Sequence, residues 1–426
     1  MKETHIQPQS LLVHLSVWGA TFVERARLYA FASMLAPNNF PRVAADREIW
    51  LDIRTTREDL DALNELSVVE QLRRYATVSI SVFANSAKDC SYTSFTDQQV
   101  EAMRWASQEA LMYVYHQPDV ILADGSLASL VNQLREKRAV VVWGSRCQEE
   151  GLAIQLDQFR HGNSLVLSPR ELVALQLNNL HSEFQGYEAT ETTTPSYPSN
   201  ILWLNKGANQ ALIRSHSRAP AGINFKNIDR KEADRYFEML TNSTIDHTHT
   251  QSGILGDMSD IHIINDSDDF FWTSPTDSQR FGKLVPSQSV SSEKLSLDAS
   301  LIRYFETSKP NAYARFFYTQ PVTLRTSDDD EWLKSKALET EKLFLRLALL
   351  YPRQSKITSS SLLRNETMFL GSYRLAVKGF VWMFLGPYRL AVRTRLGRAA
   401  AGKLREGDSR GYNAINGILG WLTRLR

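Results

Sequence analysis

Carboxylates that follow apolar runs are the residues of this chain best suited to chemistry. The run VILADGS (120–126) ends on Asp124, Gly125 and Ser126. A carboxylate at a strand end can hold a diphosphate, directly or through Mg²⁺ or Mn²⁺, whose preference for hard oxygen ligands suits that group. The other reading is a strand-to-helix turn, with Gly125 for backbone freedom and Ser126 as helix cap. Asp266, Ser267, Asp268 and Asp269 form a second acidic group behind an apolar run. Asp266 and Asp268 have the alternate spacing of metal ligands, and a solvated acidic turn is the alternative. In Asp246-His247-Thr248-His249 the two imidazoles share one side of an extended segment. They could be a metal pair or a base with its partner, but no third ligand stands at a characteristic spacing. Trp18-Gly19 could let a ring stack against bare backbone, and Arg146 could pair a phosphate.

These groups need a frame. LLVHLSV (11–17), EIWLDIRTT (48–56), TVSISVFA (77–84), VILADGS and AVVVWGS (139–145) read as five strands. Helical periodicity fills the gaps, including DQQVEAMRWASQEALMYVYH (97–116) as one long helix. Strand and helix alternate five times in about 145 residues, which predicts a mostly parallel, doubly wound sheet. Ligands in such sheets sit beyond the carboxyl ends of the strands. Trp18-Gly19, Thr55-Thr56, Asp124-Gly125-Ser126 and Arg146 would share that rim if their strands are neighbours. Further on, Ser168 and Pro169 open a helix over 168–185. A proline-bearing loop follows at 189–200. NILWL, GINFK and DIHIIND read as strands, Ser274 to Lys294 as a mobile loop, and 296–318 and 330–352 as helices of a small subdomain. The last carries an apolar stripe through Leu333, Leu338, Leu343 and Leu345.

Bulk properties narrow the class. The 426 residues are 43% hydrophobic and 23% charged, an ordinary globular composition. Cys90 and Cys147 cannot build a disulfide framework and lack metal spacing, so a reducing compartment is expected. The first residues do not read as a signal peptide, and no run of 18 apolar residues occurs. The expectation is a soluble or membrane-peripheral cytoplasmic protein. No G-x-x-x-x-G-K-[ST], G-x-S-x-G, H-E-x-x-H or C-x-x-C occurs, and no G-x-G-x-x-G follows the first strand.

The net charge of +2 hides an asymmetry: from Glu366 to Arg426 there are 11 Lys and Arg against 3 Asp and Glu, leaving −6 for the rest. There FLGSYRLAV (369–377) recurs 15 residues later as FLGPYRLAV (384–392). Aromatic and aliphatic bulk flanked by Arg374, Lys378, Arg389, Arg393 and Arg395 suits an amphipathic helix on an anionic membrane surface. Two ordinary helices packed on the body are the simpler alternative. Nucleic acid is not the expected partner, because FVWMFL is too apolar for an RNA arm.

SVWGATFVERARLYAFASMLAPNNFP, IRTTRED, VILADGSLASLV, AVVVWGSR and LSPRELVALQLNNLH together resemble bacterial proteins related to nucleotide-sugar glycosyltransferases, over about residues 10–275. The resemblance implies a GT-A-like, Rossmann-type α/β domain over 1–290. Its nucleotide-binding half would be about 1–150 and its acceptor half about 151–290. A helical subdomain (291–355) and the basic amphipathic tail (356–426) would follow. It implies transfer of a sugar from a nucleotide-sugar donor to a glycan or lipid-linked glycan, peripherally at the cytoplasmic membrane face. Asp124 would lie where the metal or diphosphate carboxylate sits, with Asp268 as a second candidate for Mn²⁺ or Mg²⁺. Asp-Gly-Ser in place of Asp-x-Asp departs from that pattern and leaves metal dependence open. Trp18, Gly19, Thr55, Thr56, Gly125, Ser126 and Arg146 would contact the donor, and Asp246 or Asp266 would take the acceptor proton if the enzyme inverts. The same single carboxylate also admits a non-catalytic, membrane-peripheral protein with a degenerate body.

Overall fold

Seven strands form the central sheet of the computed structural model. In chain order they include β1 (Leu11–Ser16), β2 (Ile49–Thr56), β3 (Thr77–Ala84) and β4 (Met112–Tyr115). The structure describes residues 8–350 except 191–192, 196–198, 217, 242–253, 279–287, 290–296 and 309. After β4 come β5 (Ile121–Leu122), β6 (Ala139–Val142), β7 (Arg146–Gln148), β8 (Asn200–Asn205), β9 (Gln210–Ser215) and β10 (Ala219–Asn224). The set closes with β11 (Ile261–Ile263), β12 (Trp272–Thr276) and β13 (Val322–Leu324).

The central sheet runs β3-β2-β1-β4-β10-β6-β11, with β10 antiparallel to its neighbours and the other six strands parallel. The expected Rossmann-type, mostly parallel sheet is therefore present. Its strands carry fully buried Leu11, Val13, Leu15, Leu51, Ile53, Val140 and Val141. Such near-continuous apolar runs suit a sheet covered on both faces. Strands β10 and β11, from the later part of the sequence, enter the same sheet as β1 to β6, so the two expected halves share one core. Two smaller three-stranded sheets, β5-β12-β7 and β8-β9-β13, accompany it, with two short two-stranded ladders.

Several sequence expectations change here. The long helix over 97–116 is two elements: a helix, α1 (Tyr92–Gln108), and strand β4. Ala110, at φ 52°, breaks the helix. The aromatic and β-branched run Met112 to Tyr115 then lines up beside β1, where such side chains fit a pleated surface. VILADGS contributes only Ile121–Leu122, and these pair with β12 rather than the central sheet. Pro118 intervenes and has no N–H to continue a ladder. Ser274 to Thr276 belong to β12 and are buried, not part of a mobile loop. The helix from Pro169 ends at Asn178, with a separate turn at Ser182–Gln185. Ser168 and Glu171 close a reciprocal capping box at its start.

Helices Leu297–Ser308, Ala312–Thr319 and Glu331–Leu350 pack with β8, β9 and β13 around Trp203, Leu212, Leu301, Phe305, Tyr318, Leu333 and Phe344. The helical region therefore shares its core with strands near residue 200. Leu338, expected on the buried stripe, is 58% exposed. Arg214 of β9 enters this core, where its guanidinium donates to Thr340 Oγ1 and to the carbonyls of Tyr318, Thr319 and Ala337. Among the described residues no helix is long and apolar enough to cross a membrane. The repeat-bearing tail, with Arg374, Lys378, Arg389, Arg393 and Arg395, lies outside the described residues.

Candidate functional site

The strand order reverses at β1, which pairs with β2 on one side and β4 on the other. In open α/β sheets ligands are held beyond the carboxyl ends of the strands where the order reverses, here those of β1 and β4. Val17, Trp18 and Gly19 follow β1, and His116, Gln117, Pro118 and Asp119 follow β4.

Trp18 is half-buried, edge-on to Phe83 (5.6 Å) and Phe95 (5.9 Å). Gly19 takes φ 80°, which L side chains rarely adopt, and its N–H donates to Asp59 Oδ2 at 2.7 Å. The same oxygen accepts the Thr56 hydroxyl at 2.6 Å. Asp59 thus ties the chain leaving β1 to the end of β2. Thr55 and Thr56, expected to touch a donor, are fully buried beneath the rim. Thr56 is instead part of the clamp that shapes the Gly19 turn.

The charged group near this rim centres on Asp119. Its carboxyl bonds to Ser274 and lies in the fields of Arg25 and Arg146. Burial pushes it above the usual carboxylate range against the pull of those two cations. Arg25 comes from the helix that follows β1 and grips Glu149 with two nitrogens, Nε at 2.9 Å. Tyr29 donates to the same glutamate at 3.4 Å. Arg146 stands in register with Ser274 and lies 3.5 Å from Glu183, which also accepts from the Tyr187 hydroxyl at 2.9 Å. The Arg146 side chain is 38% exposed and that of Arg25 11%. Arg146 is therefore the cation an incoming anion would meet, and Arg25 is part of the frame behind it. Asp119, Arg25, Glu149 and Glu183 were not among the residues the sequence singled out. The signal for Asp119 was a carboxylate just after an aromatic, β-branched run, concealed while that run read as helix.

Asp124 is placed differently. Its Oδ1 accepts from Asn38 N and its Oδ2 from Asn38 Nδ2, both at 2.7 Å. Asn39 Oδ1 accepts from Gly125 N and Leu127 N, each at 3.1 Å, and so caps the helix Ser126–Leu134 from a distant segment. Gly125, at φ 89°, makes that turn. Ser126 Oγ both donates to Phe271 O and accepts from Phe271 N, and the residue is buried. The Asp-Gly-Ser turn is a clasp between three segments, and Ser126 has no face toward a ligand. The charges that surround Arg146 belong to Asp119 and Glu183 instead.

In the second acidic group, Asp266 pairs with Arg325 at 2.7 Å and accepts from Asp268 N at 3.0 Å. Asp268 takes a two-nitrogen grip from Arg170, 3.1 Å to Oδ1 and 2.9 Å to Oδ2. An arginine thus stands where a cation would. Among the described residues no group of three or more His, Cys, Asp or Glu side chains could hold a metal ion. Asp246, His247 and His249 lie outside the described residues.

Beneath the rim, His14 Nδ1 lies 2.9 Å from Asp52 Oδ2 and His14 Nε2 3.1 Å from Ser16 Oγ. An ionised carboxylate only accepts, so Nδ1 carries the proton and Ser16 donates to Nε2. Arg54 continues the chain, from Asp52 (3.0 Å) to Gln98 (3.0 Å) and Glu101 of α1. All of His14, Ser16 and Asp52 are buried, so this network braces the sheet against α1.

The fold and this rim define the class: a Rossmann-type α/β protein with charged residues near its topological switch point. No known protein family matches the sequence, and no curated protein matches it. Among solved structures it is similar to S. aureus TarS 1–349 in complex with UDP, at 13% identity, 83% of this chain, 95% of that chain and a TM-score of 0.34. It is also similar to the mannosyltransferase PcManGT of Pyrobaculum calidifontis in complex with GDP-Man and Mn²⁺, at 13% identity, 91% and 83% coverage and a TM-score of 0.28. A third is GalNAc-T7 with UDP, GalNAc and Mn²⁺, at 13% identity, 79% and 55% coverage and a TM-score of 0.32.

Proposed function

We propose that the chain is a glycosyltransferase that binds a nucleotide-sugar donor beyond the carboxyl ends of β1 and β4. The observation that carries this reading is the cluster at the switch point, where the half-exposed Arg146 stands beside Asp119 and Ser274. In this reading Trp18 flanks the base and Gly19 leaves room at the backbone. Arg146 meets the diphosphate, and its fixed positive charge steadies the leaving group as negative charge grows on it. Glu183, locked by Tyr187, aims Arg146, while Arg25 and Glu149 brace the loop behind. The acceptor hydroxyl would be that of a glycan or lipid-linked glycan, with the basic tail at an anionic membrane surface of the cytoplasmic face.

The described residues do not compose a divalent-metal site. Asp119 lies in the fields of Arg25 and Arg146, and Asp266 and Asp268 are paired with Arg325 and Arg170. No step is therefore routed through Mn²⁺ or Mg²⁺. Asp266, with both oxygens occupied, is a poor candidate for the acceptor base, which leaves Asp246 for that role.

The test is a thermal-shift screen against UDP-, GDP-, ADP-, dTDP- and CMP-sugars, each with and without Mn²⁺ or Mg²⁺. A ligand that binds only the folded state raises its melting temperature. The expected result is a shift with one nucleotide family, lost in Arg146→Ala. No shift with any donor in either condition would overturn the reading in favour of a non-catalytic protein.

A further inference from the structure

The open edge of the central sheet carries a chemistry of its own. Strand β3 ends the strand order, with β2 on one side and no strand on the other among the described residues. Its eight residues, TVSISVFA, include no charge and no proline. Exposed edges of this length are normally guarded by such residues, because unpaired N–H and C=O groups recruit further strands. Arg73 Nη1 donates a long 3.5 Å hydrogen bond to the Val78 carbonyl of this strand. Residues 78–82 read V-S-I-S-V, the same in both directions.

We propose that β3 is a two-fold interface, pairing antiparallel with β3 of a second copy in a register centred on Ile80. Two-fold symmetry perpendicular to the sheet keeps each face continuous across the junction. In that register Ile80 opposes Ile80 and Val78 opposes Val82, all on one face. Ser79 opposes Ser81 on the other. The pattern of burial agrees with the two faces. Val78, Ile80 and Val82 are half-buried, and Val78 and Ile80 pack on the core, whereas Ser79 and Ser81 are exposed. The palindrome is what selects a second copy over an unrelated strand, since each opposed pair is like with like. The ladder irregularity between β2 and β3 falls beyond Val82, so the palindromic segment itself is regular. The junction would extend the sheet to twice its strands while leaving Trp18 and Asp119 outside the pairing segment.

Sedimentation velocity of the full chain over a dilution series tests this. The expected species has twice the 48.5 kDa chain mass and dissociates on dilution. The double substitution Ser79→Lys, Ser81→Lys places like charges opposite each other at two positions per interface and should raise the dimer Kd by about tenfold or more. Both sites are exposed, so the thermal melt of that chain should match the parent monomer. Mixing it with the Ser79→Glu, Ser81→Glu chain should restore a dimer containing one of each. A parent that stays monomeric at every concentration overturns the proposal. So does a dimer indifferent to the lysines, or a mixture that fails to pair.

Discussion

Asn38 holds both carboxylate oxygens of Asp124, one through its main-chain N–H and one through its side-chain amide, each at 2.7 Å. The carboxylate that most invites a catalytic reading in the sequence is thus part of a brace. Asp124→Ala should lower stability by about 1 kcal/mol, since the exposed Asn38 donors can turn to water. It should leave the donor-induced thermal shift in place. Denaturant melts with and without donor separate these effects, and loss of the shift in a folded Asp124→Ala chain would return Asp124 to the site.

Arg146→Ala and Asp119→Asn address the switch-point cluster directly. Removing a preorganised charge that meets a leaving group costs on the order of 10²- to 10³-fold in turnover. Arg146→Ala should lose that much once a donor is known, while Glu183→Gln, which only aims Arg146, should lose less. Initial rates at saturating donor give the ranking, and equal activity in all three chains would remove the cluster from the mechanism.

Acid should unfold this protein through its buried histidines. Burial pulls His116 down to about 3 from an ordinary 6.5, and pulls His14 down despite its bond to Asp52. Both pKa values are lower in the folded state, so the unfolded chain binds more protons between the two values. Stability is therefore full above about pH 6.5 and falls as pH drops toward the folded values. Each histidine contributes a slope of up to about 1.4 kcal/mol per pH unit in that window. Urea melts from pH 7 to pH 5 measure the slope, and His116→Phe should flatten it. A slope unchanged in that variant would mean that His116 already charges in the fold.

Arg214 should tolerate no neutral replacement. Its four acceptors lie 2.8–3.1 Å away inside the helical core, and burial takes its pKa down to about 10. Arg214→Met strands three carbonyls at once. A loss of roughly 3–5 kcal/mol is expected, at the upper end of single-residue effects. Arg214→Lys should recover only part of it, because an ammonium has no planar fork to span β9 and two helices. A chemical melt of the two variants reads this out.

Deleting residues 365–426 should leave a folded protein that no longer floats with vesicles containing anionic lipid. Each cation near such a surface contributes about 1 kcal/mol, so the 11 Lys and Arg of the last 61 residues outweigh any single site on the body. Equal flotation of the full and shortened chains would give the membrane contact to another part of the molecule, or to none.

Local chemistry was enough for the elements whose signals are themselves local. Strands β1, β2 and β3 follow from apolar runs ended by turn residues. The helix opening at Pro169 follows from Ser168 and Glu171, which satisfy each other within one turn. The parallel alternation over the first 145 or so residues follows from periodicity switching between 2 and 3.6. What the tertiary structure decided is where partners come from. Met112 to Tyr115 fits a helix face as well as a strand until β1 supplies a hydrogen-bonded neighbour. Ile121 and Leu122 look like the next strand of the sheet until β12, 150 residues away, pairs with them. Asp124 takes both its partners from Asn38, 86 residues away, and Asp119 comes into the fields of Arg25 and Arg146, both distant in sequence, only in the folded chain. Strand pairing and charge neighbourhoods depend on contacts between residues far apart in the chain, and no local pattern of residue types encodes which of them will meet.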